Sequence, residues 1–285
     1  MKVTNVLVTG SNGQLAQCIK SLKDSYTLLN IFFSTKRDFD ITSKKSITTF
    51  LSKEKFQYLI NCAAYTNVEQ AEKEASKAFL VNAEGVKNLA EVCKEKDIIL
   101  IHISTDYVFD GKKEVPYTEE NVPNPINEYG KSKLKGELYI QSITDKYFII
   151  RTSWLYSQYG KNFYKTILDK SNTEKKLSII ATEVGTPTNA NDLSKFLLEL
   201  VESKTENYGI YHFSNLGKAT WYDFAEEILK KLGKQERIKL EKTDNYPTFA
   251  KRPKYSVLDK EKTQRIYNYN ILDWRDSLIK LKKEN

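Results

Sequence analysis

Short apolar runs alternate along the first half of the chain with longer amphipathic segments, and this alternation limits the possible folds more than any other feature. The apolar runs are rich in Val, Ile and Leu, as is typical of strands covered on both faces. Strands that alternate with helices form parallel βαβ units. The predicted strands are residues 5–10, 28–34, 58–62, 98–104, 147–152 and 177–181, and the predicted helices are 13–23, 44–54, 69–96 with a break, and 129–142. The pattern predicts an α/β fold with a doubly wound parallel sheet.

A glycine turn joins the first predicted strand to the first predicted helix. The backbone must turn tightly there, and a pyrophosphate can approach the helix N-terminus. Ala16 stands where a third glycine is common, and a small residue still permits close packing of helix on sheet. The turn predicts a Rossmann-type dinucleotide site, and the alternative is a tight strand–helix turn without a ligand. The candidate cofactor residues in this segment are Gly10, Ser11, Asn12, Gly13, Gln14 and Leu15.

The regular alternation ends near Arg151, and the chain then becomes irregular, with many aromatic residues and Pro-bearing turns. Helical patterns persist at residues 192–204 and 221–232. We therefore predict a dinucleotide-binding Rossmann domain at residues 1–152, to which about 178–205 also belongs. A smaller C-terminal α/β substrate-binding lobe is expected at 153–285 and is discontinuous in sequence.

The end of the second predicted strand bears on the choice of cofactor. A strict NAD site places a carboxylate there to bind the ribose hydroxyls, whereas Lys36 and Arg37 stand near that place in this chain. A pair of cations suits a ribose 2′-phosphate. We therefore expect NADPH, with NADH left open as a second reductant. The alternative is that both cations are ordinary surface charges.

Tyr129 and Lys133 are four residues apart and share one face of a predicted helix, which Asn127 can cap. An ammonium near a phenol lowers the pKa of the phenol. Such a tyrosine can give a proton to a carbonyl oxygen while hydride reaches the carbon. Both residue types are abundant here, so the pair gains its meaning from its position after four βα units that begin with the glycine turn.

Hydroxyl groups stand at the end of the fourth predicted strand, where doubly wound sheets bind their ligands. Thr105 is our candidate for a hydrogen bond to the reacting carbonyl, and Ser104 competes with it. The alternative is that both hydroxyls satisfy loop amides. With Tyr129 and Lys133, Thr105 completes the predicted catalytic set.

Composition excludes several other classes of protein. The 285 residues carry a net charge of +8, but the lysines are scattered, so we expect a solvated surface and no nucleic-acid partner. The 3 cysteines and 2 histidines suggest neither disulfides nor a metal site. No apolar run is long enough for a membrane span and the N-terminus has no signal-like segment. We therefore predict a cytoplasmic protein that makes no membrane contact.

Several motifs occur in a fixed order and together are more specific than any one alone. They are residues 9–15, 61–72, 104–111, 129–133, 151–156, 185–188, 221–225 and 252–259. Over about residues 4–275 this set resembles the dTDP-4-dehydrorhamnose reductases, a family of extended short-chain dehydrogenases. The resemblance implies NADPH-dependent reduction of the 4-keto group of dTDP-4-dehydro-L-rhamnose to dTDP-L-rhamnose, a step that supplies bacterial surface polysaccharide.

The resemblance also implies site residues. The implied cofactor contacts are Asp40 and Ile41 near the adenine, with Ala63, Ala64 and Tyr65 along the dinucleotide. The implied sugar contacts are Thr105, Asp106 and Trp154. Trp154 offers a flat apolar face, and core packing is the alternative. Arg252 is a candidate ligand of the substrate diphosphate, and a structural salt bridge is the alternative.

The chain departs from the family pattern at several positions. Ser157 and Gln158 replace a common glycine, and Thr182 and Glu183 replace a usual Asp-Gln pair. Some members dimerise through magnesium held by glutamates, whose matching positions here are Cys18 and Asn191. We therefore predict a monomer or a weak homodimer without a magnesium bridge.

Two other functions remain open at this point. The motifs barely constrain hydroxyl stereochemistry, so the substrate could be another dTDP-linked 4-keto-6-deoxysugar. The other alternative is a non-catalytic relative that keeps the dinucleotide site. Tyr129, Lys133 and Thr105 are all present, which argues against that second alternative.

Overall fold

A computed structural model describes residues 3–244 and 248–281 of the chain, so the extreme ends of both predicted domains lie outside the described residues. A six-stranded sheet is its central element, in the order β10-β5-β4-β3-β1-β2, and all its strand pairs are parallel. The strands are β1 Thr4–Thr9, β2 Leu29–Phe33, β3 Tyr58–Asn61, β4 Ile99–Thr105, β5 Tyr147–Thr152, β6 Leu155–Tyr156, β7 Lys176–Ile180, β8 Val184–Gly185, β9 Thr188–Asn189, β10 Gly209–His212, β11 Ala219–Thr220 and β12 Lys239–Thr243.

Helices cover both faces of this sheet. They are α1 Gln14–Leu22, α2 Lys44–Leu51, α3 Val68–Ala71, α4 Ala75–Phe79, α5 Gly85–Glu95, α6 Glu128–Ile143, α7 Phe163–Thr173, α8 Ala190–Ser203, α9 Trp221–Lys231, α10 Glu261–Tyr267 and α11 Trp274–Lys280. A π-helical turn, Leu80–Glu84, joins α4 to α5. The break expected in the 69–96 helix lies between α3 and α4.

The apolar residues divide between the two faces as the strand alternation requires. Val6 and Val8 of β1 point to the layer that contains α1 and α8. Leu7 points to the other layer, which contains α2, α5 and α6. Burial on both faces explains why these strands are continuous apolar runs. The doubly wound Rossmann fold predicted from the sequence is therefore confirmed.

One predicted strand lies elsewhere than the alternation suggested. β7 pairs with β12 in a separate two-stranded sheet, and the sixth strand of the central sheet is β10, which follows α8 and pairs with β5. Of the expected 178–205 extension, α8 packs on α1 against the central sheet. The β7 and β10 segments are both short and apolar. Their sequences therefore do not show which sheet each one joins, and the pairing depends on which strand each meets in the folded chain.

The smaller lobe has a core of its own, formed by α7, α9, α11 and the β7–β12 pair. Tyr156, Phe224 and Trp274 lie fully buried in it. The short pairs β6–β9 and β8–β11 connect this lobe to the carboxyl ends of the central strands. Those ends are where a doubly wound sheet binds ligands. Within residues 3–244 and 248–281, no helix is both long and apolar enough to cross a bilayer.

Candidate active site at the carboxyl ends of the strands

The glycine turn after β1 is closely packed. Gly10 has a φ of 66°, and a Cβ atom there would lie 2.8 Å from the backbone nitrogen of Ala63, so only glycine fits. Gly13 is the N-cap of α1, and among the described residues no side chain caps this helix. The N–H groups of its first turn are therefore available to an anion. This backbone fits the pyrophosphate of a dinucleotide.

Gln14 joins this turn to the smaller lobe. Its side-chain amide donates to the carbonyl of Leu155 at 3.2 Å, and its Oε1 accepts from Ser157 and from Asn162, each at 3.2 Å. The Gln14 side chain therefore holds the two lobes together, which leaves its backbone N–H for a cofactor contact. Ser157 was a departure from the family pattern, and its hydroxyl contributes to this junction.

The segment after β2 contains the residues expected near the adenosine end of a cofactor. Lys36 and Arg37 are exposed and project from a turn closed by Asp38, which accepts from the Thr35 hydroxyl at 2.6 Å. Asp40 accepts from the backbone and hydroxyl of Thr42. Lys36 and Arg37 are thus exposed cations at this corner, accompanied by the carboxylates of Asp38 and Asp40.

Ile41 has a different environment, because its side chain is buried and meets Gly85 of α5. A Cβ atom at Gly85 would lie 2.9 Å from Ile41 Cγ1. The side chain of Ile41 is thus part of the core, and any contact with an adenine would use its backbone.

The loop after β3 forms the wall opposite the glycine turn. The Ala63 N–H donates to Thr9 Oγ1 and to Asn61 Oδ1, each at 3.2 Å. The Tyr65 N–H donates to Asn82 Oδ1 at 2.8 Å. Ala63, Ala64 and Tyr65 are all half-buried. The loop is thus fixed by its backbone, and the small side chains of Ala63 and Ala64 leave room beside the turn.

Tyr129 lies in the first turn of α6, whose N-cap is Asn127, as the sequence predicted. Asn127 Oδ1 accepts from the Gly130 N–H at 2.7 Å. Burial raises the pKa of Tyr129 to about 12, and the nearby Asp106 raises it as well. A hydrogen bond with the Thr105 side chain opposes this shift. The phenol is therefore protonated at neutral pH and in contact with Thr105, as a proton donor requires.

Lys133 lies one helical turn further and is 2% exposed. Its ammonium nitrogen donates to the carbonyl of Ile103 at 2.6 Å and lies 3.3 Å from His102 Nε2. Burial lowers the pKa of Lys133 to about 8. Among the described contacts none joins Lys133 to the Tyr129 hydroxyl. The sequence predicted that Lys133 lowers the pKa of Tyr129. For the chain without a bound cofactor this prediction was wrong, because the Ile103 carbonyl and the His102 imidazole hold the lysine nitrogen.

Asp106 follows Thr105 and is almost fully buried. Its Oδ1 accepts from Thr105 Oγ1 at 3.2 Å, whereas its Oδ2 has no partner among the described residues. Burial raises the pKa of Asp106 to about 7, and the nearby Ser256 and Thr105 hydroxyls oppose this shift. A buried carboxyl oxygen without a partner is costly unless a ligand supplies one. Asp106 is thus suited to accept from a substrate hydroxyl.

Trp154 is held on an aromatic stack. Its φ is 43°, and its indole stacks on Trp221 with ring centroids 3.6 Å apart and planes 7° apart. Gly185 lies against the indole edge, where a Cβ atom would come within 2.6 Å. The Trp221 Nε1–H donates to Glu183 at 2.9 Å. The two indoles form a rigid, half-buried platform at the junction of the lobes.

Arg252 forms the salt bridge that was the alternative to diphosphate binding. Its Nη2 donates to Glu69 Oε1 at 2.9 Å, and Glu69 also accepts from the backbone of Phe249 and Ala250. The Arg252 Nε is buried and has no partner among the described residues. Glu183 lies near enough to raise the pKa of Arg252, although burial acts against it. One guanidinium nitrogen is thus still available for a ligand.

A cleft of about 1200 Å³ opens beside Arg252, between the 110–114 loop, the start of α6 and the smaller lobe. Its basic side chains are Lys112, Lys113, Lys131, Lys218, Lys251, Arg252 and Lys254, and its acidic ones are Asp110, Glu114 and Asp223. Its lining does not include Tyr129 or Thr105, so the cleft adjoins the reacting groups without containing them. The excess of cations suits an anionic ligand.

The described residues contain no group of three or more side chains that could hold a metal ion. Cys18 of α1 is fully buried in the core layer that also contains α8. Asn191 makes hydrogen bonds with Gln158 and Asn189. Neither residue offers a surface carboxylate where glutamates bind magnesium in some members of the resembled family.

Comparison with known proteins identifies the family. A family model described as the RmlD substrate binding domain matches residues 4–285. A curated dTDP-4-dehydrorhamnose reductase from Aggregatibacter actinomycetemcomitans is 38% identical, with 97% of both chains covered. The chain belongs to the dTDP-4-dehydrorhamnose reductase family.

Other reductases agree with this assignment. The crystal structure of dTDP-4-dehydrorhamnose reductase from Bacillus anthracis, in complex with NADP, is 35% identical, covers 99% of both chains and has a TM-score of 0.93. A dTDP-4-keto-6-deoxy-D-glucose reductase from Streptomyces niveus is 34% identical, with 95% of this chain and 94% of that protein covered. The family predicted from the ordered motifs is confirmed.

Some residues of this reductase site were not singled out from the sequence. Asn61 and Trp221 stood inside quoted motifs without a role, and His102 was only part of a predicted strand. Glu137 had one available signal: it follows Lys133 by four residues on the same helical face. Its partner Arg151 is 14 residues further along the chain, and only the fold brings the two together.

Proposed function

We propose that this chain catalyses NADPH-dependent reduction of the 4-keto group of dTDP-4-dehydro-L-rhamnose to dTDP-L-rhamnose. The observation that carries the proposal is the contact between protonated Tyr129 and Thr105. Thr105 lies at the carboxyl end of β4, and Tyr129 lies in the first turn of α6. The names of the similar reductases support the substrate class, and the NADP complex of one of them supports the cofactor. We also propose that the product supplies rhamnose for surface polysaccharide and that the protein is cytoplasmic.

The residues divide into binding and proton-transfer roles. Gly10 to Leu15 and the loop from Ala63 to Tyr65 hold the dinucleotide, with Lys36 and Arg37 at its 2′-phosphate. The bound nicotinamide supplies the hydride that reaches C4 of the sugar. Tyr129 gives its proton to the oxygen that becomes the C4 hydroxyl. Thr105 hydrogen-bonds that oxygen and aligns it with the phenol.

The substrate is a nucleotide diphosphate, and the basic cleft beside Arg252 suits its charge. Asp106 accepts a hydrogen bond from a sugar hydroxyl, and Trp154 packs on the sugar ring. Lys133 binds the cofactor ribose. The oligomeric state we propose is a monomer or a weak homodimer without bound magnesium.

Removal of single groups tests the reaction. Tyr129→Phe should lower kcat by about 10²- to 10⁴-fold, the range for a positioned acid–base group, without a matching loss of NADPH binding. Tyr107→Phe is the matched control, because Tyr107 meets Tyr129 edge to face at 5.9 Å. Near-normal turnover by Tyr129→Phe would contradict the assignment.

The cofactor preference has its own test. Lys36→Ala and Arg37→Ala should weaken NADPH binding and leave NADH binding nearly unchanged, because only NADPH carries the 2′-phosphate. Titration calorimetry with both cofactors measures this. Equal affinities for NADPH and NADH in the unmutated protein would refute the preference.

The Streptomyces relative named for dTDP-4-keto-6-deoxy-D-glucose supports a second candidate substrate. That sugar carries the same 4-keto group, so every residue role above stays the same. The two candidates differ in the stereochemistry of carbons that the platform and Asp106 would contact. Competition of the two keto sugars for one enzyme sample, compared by kcat/KM, distinguishes them.

A further inference from the structure

Asn127 uses both ends of its side-chain amide inside the protein. Its Oδ1 accepts from the Gly130 N–H at 2.7 Å, which caps α6, and its Nδ2 donates to the carbonyl of Lys251 at 2.8 Å. Asn127 is 1% exposed, so solvent does not compete for either bond. A reversed amide would set its NH₂ group against the Gly130 N–H, a donor facing a donor. The two bonds therefore belong to one fixed orientation.

The two partners of Asn127 lie next to groups that the proposed reaction uses. Gly130 directly follows Tyr129, the proposed proton donor. Lys251 directly precedes Arg252, and both line the basic cleft. Because an amide group is planar and rigid, it holds the Gly130 N–H and the Lys251 carbonyl at a fixed separation. Asn127 thus connects the first turn of α6 to the part of the smaller lobe that carries Arg252.

The α6 end of this connection is tightly packed. A Cβ atom at Gly130 would clash with the Tyr107 carbonyl oxygen and would lie 3.0 Å from Pro125 Cβ. The first turn of α6 is therefore fixed against the loop that precedes it. A change in the length of the connection would have to move the other end, at Lys251.

The 249–256 segment, which contains that other end, is also held by bonds at its start and finish. At its start, two backbone N–H groups donate to Glu69 of α3, at 2.8 and 3.3 Å. Near its finish, the backbone forms two hydrogen bonds with Val184 of β8, each at 2.8 Å. The Asn127 bond holds the middle, at the Lys251 carbonyl. Its loss would loosen this middle part without detaching the segment.

The spacing between a diphosphate ligand and the proton donor matters for a nucleotide-linked 4-keto sugar. In a pyranose ring, the anomeric carbon that carries the diphosphate lies across the ring from C4. The residue that binds the diphosphate therefore determines how closely C4 approaches Tyr129. A misplacement of about 1 Å at such a position can cost roughly 10²-fold in rate.

We infer that Asn127 is a positioning residue that sets the distance between Arg252, which binds the substrate diphosphate, and the proton donor Tyr129. This inference rests on the proposed function, because it assigns the diphosphate of a nucleotide sugar to Arg252. The Arg252 Nε is buried and has no partner among the described residues, so the guanidinium keeps a donor for that ligand. The cap that Asn127 provides to α6 is separable from this role.

Asn127→Ser separates the two bonds. Serine caps helices about as well as asparagine, but its side chain is too short to reach the Lys251 carbonyl as well. The dissociation constant of dTDP, measured by titration calorimetry, should rise roughly 3- to 10-fold, the net worth of one hydrogen bond. Amide hydrogen exchange at Gly130 should show that the cap remains, and the dissociation constant of NADPH should not change.

The positioning role predicts a further loss in turnover. The kcat/KM for the keto sugar nucleotide should fall by about 10- to 100-fold, more than the dTDP dissociation constant rises, because a misplaced C4 adds to the weaker binding. Equal changes in the two quantities would mean that Asn127 supports binding alone, and would overturn the inference.

Asn127→Asp provides a second variant of the same shape. It keeps the cap but turns an acceptor oxygen toward the Lys251 carbonyl, so the connection is lost without a cavity. It should show the same excess loss of kcat/KM over dTDP binding. A kcat/KM equal to that of the unmutated protein would again refute the role of the connection.

Asn189→Ser is the matched control. Asn189 is also buried, caps α8 with its side chain and donates through Nδ2 to the carbonyl of Ser277 in the smaller lobe, at 3.2 Å. This variant loses an equivalent bond away from the lining of the basic cleft. The dTDP affinity and kcat/KM should therefore stay near those of the unmutated protein. Equal losses in Asn127→Ser and Asn189→Ser would point to general destabilisation and contradict the inference.

A double-mutant cycle tests whether Asn127 acts through Arg252. Arg252→Gln removes the guanidinium and should itself weaken dTDP binding. In that background Asn127→Ser should add little, because the group that it positions is gone. Additive losses of dTDP affinity would show that Asn127 acts by another route, against the inference.

The inference and the proposed function can fail separately. If Asn127→Ser weakens dTDP binding but the unmutated protein reduces no keto sugar, the proposed function fails and the link between Asn127 and the nucleotide site stands. If the sugar is reduced but Asn127→Ser changes neither dTDP binding nor kcat/KM, the inference fails and the proposed function stands. If the unmutated protein does not bind dTDP, both fail.

Discussion

The salt bridge between Arg151 and Glu137 holds the proposed active site together, and Glu137→Gln tests its contribution. Arg151 Nη2 lies 2.7 Å from Glu137 Oε2, Arg151 Nε lies 3.0 Å from Oε1, and Ser104 donates to the same carboxylate. The side chains of Arg151 and Glu137 are 2% and 0% exposed. The bridge joins β5, β4 and α6, which present Thr105, Tyr129 and Lys133.

The expected loss of stability follows from this burial. Removing one partner of a buried pair leaves an uncompensated charge and typically costs about 3–5 kcal/mol. Glutamine keeps an acceptor for Ser104, so Glu137→Gln should fall near the lower limit, about 3 kcal/mol. For a chain of this size, that corresponds to a fall in Tm of roughly 6–12 °C. The Arg151 Nη1 already lacks a partner among the described residues, so nothing nearby replaces the lost carboxylate.

Urea unfolding followed by circular dichroism measures this change. Asp97→Asn is the matched control, because it removes an ion pair with Lys146 of 2.6 Å whose side chains are 79% and 51% exposed. Solvent screens that pair, so its loss should leave the midpoint nearly unchanged. A destabilisation by Glu137→Gln that is no larger than that of Asp97→Asn would refute the reasoning.

Three further predictions concern the platform, the cleft and the oligomeric state. Gly185→Ala should displace the Trp154 indole, change tryptophan fluorescence and raise the KM for the sugar nucleotide several-fold, since overpacking costs about 1–3 kcal/mol; unchanged fluorescence and KM would count against it. Glu183→Gln keeps an acceptor for Trp221 but removes a negative charge near Arg252, so the KM should fall, and a higher KM would speak against competition for that arginine. Sedimentation with and without EDTA should give the same mass, and a dimer that EDTA dissociates would disprove the absence of a magnesium bridge.

Local patterns were enough to predict most of the central sheet. β5 has the predicted bounds, and α6 begins at the predicted cap, because apolar periodicity and capping are properties of neighbouring residues. The residues of β7 do not by themselves indicate which strand β7 pairs with. It pairs with β12, more than 60 residues away, and that choice depends on the core of the smaller lobe. Pairing across such distances leaves no local pattern.

The proposed site was predictable to a similar extent. Tyr129 and Thr105 were found by spacing and by position at strand ends, and the structure brings them into contact. The partners of Lys133 were not predictable, because His102 looks like any other strand residue until β4 is placed beside α6. Arg252 could be named as a cation of interest, whereas its bond to Glu69 joins residues 183 apart.

The central claim is the reduction of a nucleotide-linked 4-keto sugar. The most direct measurement incubates the protein with NADPH and dTDP-4-dehydro-L-rhamnose and identifies the product sugar by NMR. We expect dTDP-L-rhamnose, formed in amounts equal to the NADPH consumed, and a rate reduced by orders of magnitude in Tyr129→Phe. An unchanged keto sugar, or equal turnover by Tyr129→Phe, would contradict the account.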